Sequence, residues 1–188
     1  MSRNKKIRGI IPGEIKEFLE EKYLQYNTPA FIEKDPVSIP HRYKKKQDIE
    51  ISGFLTATIA WGRRDLILQS ATRLMNIMHN SPYEFILNAG YDELIKASKF
   101  VHRTFNGNDC INYLISLRKI YCDYQSMEDI VAEGMLKNNS LIEGLSYLRG
   151  KFFETPHNCH SEKHFADIAR GSAGKRIFMF LRIIKVAT

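Results

Sequence analysis

The sequence predicts an all-α protein, and three observations carry that prediction. Residues 64–78 place Ile67, Ala71, Leu74, Met75 and Met78 on one stripe at helical spacing. Helix-start signals recur, in Ser81-Pro82, Ser126-Met127-Glu128-Asp129 and Ser140-Leu141-Ile142-Glu143. No stretch alternates apolar and polar residues long enough to read as a strand.

The elements follow in order. Residues 12–26 carry Ile15, Phe18, Leu19 and Tyr23 at helical spacing, and Pro12 suits a first turn. Asn27-Thr28-Pro29 breaks the pattern. Residues 35–40, Asp-Pro-Val-Ser-Ile-Pro, predict an extended loop, because each proline lacks a donor and biases its predecessor away from helix. Residues 48–61 predict a largely buried helix with Ile51, Phe54, Leu55 and Ile59 on one side and Gly62 as its stop. After the stripe of 64–78, a helix runs from Ser81-Pro82 to Gly90, and a short one over 91–98. Residues 109–124 put Cys110, Leu114, Leu117 and Tyr121 on one face. The two capping boxes at Ser126 and Ser140 each open a helix. Residues 155–169 are polar and irregular. The last helix follows Gly171-Ser172-Ala173-Gly174-Lys175-Arg176.

The 188 residues suit a single domain, 1–188, with 44% hydrophobic and 26% charged residues, which excludes disorder of the whole chain. A formal charge of +7 and a pI near 9.3 favour anionic partners, nucleic acid first. The alternative is a charge that serves solubility alone. The start is charged without an apolar run behind it, so no signal peptide is expected, and no membrane span is legible. Three cysteines, Cys110, Cys122 and Cys159, fit reduced thiols in the cytoplasm.

Four segments hold residues suited to chemistry. In 41–46, Arg42, Lys44, Lys45 and Lys46 flank Tyr43 beside His41, a composition for phosphate contacts with a stacking platform. A solvated loop is the alternative. Trp61, the single tryptophan, precedes Gly62, Arg63 and Arg64; arginine grips phosphate and tryptophan stacks on a base, or else Trp61 caps a helix pair in the core. In 157–164, His157, Cys159, His160 and His164 include a four-residue histidine spacing, as in zinc sites. No Cys-x-x-Cys partner and no acidic cluster stand at ligand spacing, so a polar loop and no metal or other cofactor are expected. In 171–181, Gly171 and Gly174 form a small-residue turn opening a helix, whose exposed amides attract anions. Lys175 on that first turn is the candidate nucleophile. At an ordinary pKa about one lysine in a thousand is neutral at pH 7, and burial, Arg176 and the positive helix end would each favour the neutral amine. A helix start with both cations in solvent is the alternative.

Taken together, these segments resemble a known family. They are Asp35-Pro36 with Pro40-His41, Asp48-Ile49-Glu50-Ile51, Ala60-Trp61-Gly62-Arg63, His164-Phe165-Ala166-Asp167, and Gly171-Ser172 with Lys175-Arg176 and Met179-Phe180-Leu181-Arg182. Their order resembles the bacterial domain-of-unknown-function 2400 family from about Phe31 onward, and that name brings no activity with it. The family typically has cysteine where Gly174 stands, proline near Ile168, and Trp-Met-Val-Arg where this chain has Ile183-Ile184-Lys185-Val186. Its members run on through further helices with a Pro-Leu-Asp-Thr-His stretch, so a C-terminally truncated copy is expected. The 171–175 turn is also similar to the Gly-x-Gly-x-Lys turn of helix-hairpin-helix base-excision DNA glycosylases. That resemblance implies a glycosylase-like fold, hairpin amides on a DNA phosphate and Lys175 attacking the sugar, with catalysis impaired because the assisting aspartate lies in the missing tail.

Three functions of different class therefore stand at this point. One is a DNA-binding, glycosylase-related helical protein with Lys175 as nucleophile. Another is a nucleic-acid-binding protein in which Arg42, Lys44, Lys45, Lys46, Arg63, Arg64, Lys175 and Arg176 only neutralise phosphates. The last is an interaction protein, for example a homo-oligomer, that uses the apolar stretch 177–184 bounded by Ile177 and Ile184.

Overall fold

The computed structural model describes residues 12–26, 28–33, 35–136 and 139–187. The charged start, residues 1–6, and Asn27 of the first break lie outside the described residues. Among the described residues the regular elements are helices, and an isolated bridge pairs His102 with Phe105. Contacts divide the chain into two units, Met1–Asp35 and Pro36–Thr188. The first holds α1 (Pro12–Tyr26) and α2 (Pro29–Glu33), and each opens on a proline, where a missing N–H costs nothing.

The second unit begins with a difference from the sequence expectation. Residues 35–40 are not extended: two 3-10 turns, Pro36–Ser38 and Pro40–Arg42, stand there. Each proline takes the first position of its turn, which needs no donor. Ile39 keeps helical dihedrals (φ −66°, ψ −57°) although Pro40 follows it. Ile39 is wholly buried, so packing outweighs the pre-proline bias.

α3 (Lys46–Thr58) runs through the centre, with every residue from Ile49 to Thr58 buried. It opens two residues earlier than the hydrophobic pattern suggests, so Lys46 belongs to the helix rather than to the basic loop. α4 (Arg64–Ile77) buries Ile67, Ala71, Leu74 and Met75 as its stripe requires. α5 (Pro82–Asn88) and α6 (Tyr91–Lys96) follow, the latter continued by a 3-10 turn, Ala97–Lys99. α7 (Gly107–Asp123) opens on a full capping box between Asn106 and Asp109. α8 (Met127–Met135) is capped by Ser126 Oγ, which accepts from Asp129 N at 3.2 Å. At α9 (Leu141–Phe152) the expected box is incomplete, since Ser140 makes no side-chain cap bond.

Residues 155–169 are less irregular than expected, because Cys159–His164 forms a 3-10 helix capped by Asn158 Oδ1 on His160 N at 2.9 Å. α10 (Lys175–Ala187) packs on α3 and buries Ile177, Phe180 and Ile183. That face of the 177–184 stretch is therefore spent inside the chain, while Phe178 stays 42% exposed. Phe54 of α3 is the hub of the aromatic core. Its ring lies 5.3 Å from Phe152, 5.2 Å from Phe165 and 5.4 Å from Phe180, and 6.0 Å from Tyr113. No helix among the described residues is long and apolar enough to cross a membrane.

Candidate functional site around Trp61

Trp61 sits at the corner between α3 and α4, in the short connection from Ile59 to Arg63. Gly62 adopts φ +104°, a backbone conformation that favours glycine, and the end of the exposed Arg103 side chain approaches to 2.6 Å of where its Cβ would sit. The turn leaves the Trp61 ring half-buried between three charged or titratable groups. It stacks on His164 at 5.6 Å and 17°, meets His102 edge-on at 5.3 Å, and carries the Arg176 guanidinium 4.9 Å from its centroid.

On one side lies an open cavity of about 450 Å³ whose lining includes Trp61, Arg63, Leu66, Ser70, Arg73, Val101, His102 and Arg103. The outer face of α4 supplies Leu66, Ser70 and Arg73, opposite its buried stripe. His102 closes the floor. Its Nε2 is 3.3 Å from the Trp61 carbonyl, so Nε2 carries the proton, and Nδ1 accepts from Ser70 Oγ at 2.9 Å. Burial holds His102 below the ordinary histidine pKa, against the Trp61 carbonyl, and Arg103 and Arg73 add to the lowering. Arg73 is pinned: it donates to the Val101 carbonyl at 2.5 Å and lies over the Phe100 ring. Arg63 forms a fork with Asp65 at 3.1 and 2.7 Å, both groups being exposed. Among the described residues the lining carries three arginines and no carboxylate.

On the other side of Trp61 lies a buried polar cluster. Asp109, in the first turn of α7, accepts from Asn106 N at 2.9 Å and from Ser161 Oγ at 2.8 Å. His160 Nδ1 stands 3.0 Å from both of its oxygens. His164 Nε2 is 3.5 Å away. Burial pushes the Asp109 carboxyl up, but donation from Asn106, His160 and Ser161 outweighs it and leaves the group below its ordinary value. Burial lowers His164 in turn, with Asp109 opposing and Arg176 assisting, which favours the neutral ring.

Of the residues singled out in the sequence, the fold brings together Trp61, Arg63 and Arg176. Arg176 is half-buried and tied to the Thr58 and Lys163 carbonyls at 2.7 and 3.1 Å, so it braces the corner. The 41–46 segment does not converge on that corner. Arg42 reaches Thr72 Oγ1 on α4 at 3.3 Å, Lys45 lies 4.1 Å over the Tyr83 ring, and Lys46 pairs with Glu128 at 2.5 Å. Lys44 and Arg64 are exposed. Gly171 and Gly174 hold φ +85° and +59° and deliver Lys175 to the first position of α10 with an exposed side chain. The burial expected to favour a neutral Lys175 amine is thus not supplied.

Sequence reasoning missed His102, Arg73, Arg103, Asp109 and Ser161. For Asp109 a signal existed, since Asn106 and Asp109 have capping-box spacing. The arginines and His102 carry no local pattern, because only the packing of α4 against the His102–Phe105 bridge assembles them.

No curated protein and no solved structure matches the chain. One family profile does, that of "Protein of unknown function (DUF2400)", over residues 35–184. The matched span runs from the first 3-10 turn into α10 and takes in both sides of the Trp61 corner, so the chain belongs to the DUF2400 family of proteins of unknown function.

Proposed function

We propose that this protein binds nucleic acid, with Trp61 stacking on an unpaired base and Arg63, Arg73 and Arg103 holding the flanking phosphates. The observation that carries this reading is the roughly 450 Å³ cavity, whose lining among the described residues holds an aromatic ring and three arginines and no acidic residue. The chain's charge of +7 supports the same choice of partner. Leu66 and Val101, 45% and 53% exposed, give the rim an apolar surface beside the ring.

Trp61 is also the built-in reporter, being the only tryptophan in the chain. Its fluorescence is expected to be quenched by a single-stranded oligonucleotide at low salt. Log affinity should then fall with log salt by about 0.7 for each phosphate engaged. Arg103→Ala, at an exposed position, lowers the slope by one such unit. Trp61→Ala, followed by anisotropy of a labelled oligonucleotide, weakens binding by about 1–3 kcal/mol. Unchanged fluorescence at low salt across single-stranded and duplex probes sinks the reading.

One observation favours a second, catalytic reading related to the base-excision glycosylases. The two positive-φ glycines present Lys175, solvent-exposed, at the positive end of α10. In that reading the amine condenses with the aldehyde of an abasic sugar and loses water to form an imine. Borohydride should trap this adduct on abasic DNA, and Lys175→Ala should abolish it. Binding without a trapped adduct leaves the first reading standing and removes the second.

A further inference from the structure

We propose that Asp109, His160 and His164 form a binding site for a divalent first-row transition ion, zinc foremost, independent of the nucleic-acid reading. The donor atoms of the three residues all lie within 4.8 Å of one another. Asp109 Oδ2 is 3.0 Å from His160 Nδ1 and 3.5 Å from His164 Nε2. An ion about 2.1 Å from each donor would subtend roughly 90° across the 3.0 Å pair and roughly 110° across the 3.5 Å pair, both ordinary ligand angles.

The buried nitrogen is the observation that points to a ligand. His164 is 5% exposed, and its Nε2 has no hydrogen-bond partner among the described residues. The 3.5 Å gap to Asp109 exceeds hydrogen-bond length. A buried ring nitrogen left in this state loses its water without replacement, and an ion at the cluster supplies the missing partner. The ring is held for that role by stacking on Trp61 and by the edge of Phe105 at 5.0 Å. The carboxylate is held likewise by Asn106 N and Ser161 Oγ, the kind of outer support that orients metal ligands.

Two histidines and one carboxylate leave a coordination position free. It falls to water, because the His160 side chain is 34% exposed and gives the cluster its solvent edge. Without the ion, His160 Nδ1–H faces the carboxylate; on binding, Nδ1 gives its lone pair and solvent returns the proton to Nε2 of the same ring. The ion would join the start of α7 to the 3-10 helix Cys159–His164. Sequence spacing could not reveal the site, because the acid stands 51 residues before His160.

The test uses the full chain, stripped with a chelator and titrated with Zn²⁺ by calorimetry and Co²⁺ by absorption spectroscopy. One equivalent of zinc is expected, with cobalt ligand-field bands of nitrogen and oxygen donors and no thiolate charge transfer. His160→Gln, checked for its helical circular dichroism, should weaken zinc binding roughly a hundredfold or more, and Ser161→Ala about tenfold to a hundredfold. No binding at millimolar zinc overturns the proposal. So does a thiolate band, which would move the ion to the exposed Cys122 or Cys159, and so does wild-type affinity in both variants. Should His160→Gln fail to fold, the wild-type stoichiometry and cobalt spectrum decide alone.

Discussion

Glu50 shows how one residue ties three helices together. It sits inside α3 with no exposed surface, and its Oε2 accepts from Tyr121 Oη at 2.8 Å and from Met127 N at 3.0 Å. The second bond satisfies an orphan amide at the start of α8. Burial raises its pKa above the ordinary 4.5, although both donors and Lys46 oppose the rise. A carboxyl whose folded pKa is raised contributes stability that is fully present below about pH 4.5 and is lost as pH rises through the raised value. Urea unfolding of Glu50→Gln should therefore show a flatter pH profile, with the difference from wild type moving in the variant's favour as pH rises. A constant difference from pH 4 to 8 would mean that Glu50 titrates alike in both states. Glu50→Ala strands the Tyr121 hydroxyl and the Met127 amide and should cost about 2–5 kcal/mol at low pH, the cost shrinking as pH rises.

Among the elements, α8 and α9 pack backbone against backbone. A Cβ on Gly144 would stand 2.6 Å from the Val131 carbonyl oxygen, and one on Gly134 would stand 2.6 Å from Tyr147 Cβ and 2.9 Å from Gly144 Cα. The backbones touch there because neither position carries a side chain. Gly144→Ala should destabilise the protein by about 1–3 kcal/mol despite alanine's better helix propensity. Thermal unfolding checks this, and a gain in melting temperature would show that the helices separate at little cost. This scale also marks how much of the fold was legible. The stripes of α4 and α7 and the cap at Ser126 stood in the local sequence, because periodicity and capping are local physics, whereas α3 ends at Thr58 with Ile59 as its cap, short of the stop expected at Gly62. The turns at Pro36 and Pro40 were not legible, since proline's usual bias was reversed by the burial of Ile39.

Across the second unit as a whole, Pro36–Thr188, the pairing of the last helix with the central one closes the core. α10 buries Phe180 to 1% exposure against Phe54, and Ile183 Cγ2 approaches to 3.0 Å of where a Gly53 Cβ would sit. Phe180→Ala should cost about 3–5 kcal/mol, read as a lower denaturation midpoint by both near- and far-ultraviolet dichroism. Loss confined to the far-ultraviolet signal of one helix would instead make α10 an appendage.

By itself the sequence determined the helical class, the place of most helices and the basic charge, because each rests on composition or on residues within a turn or two of one another. The tertiary structure alone decided which charges share a surface. It sent Lys45 to Tyr83 and Lys46 to Glu128, drew Arg73 and Arg103 to Trp61, and set Asp109 beside histidines some fifty positions away. Charges that meet across helices do so through packing directions that no local pattern encodes, since side chains remote in sequence become neighbours only once apolar faces have chosen their partners.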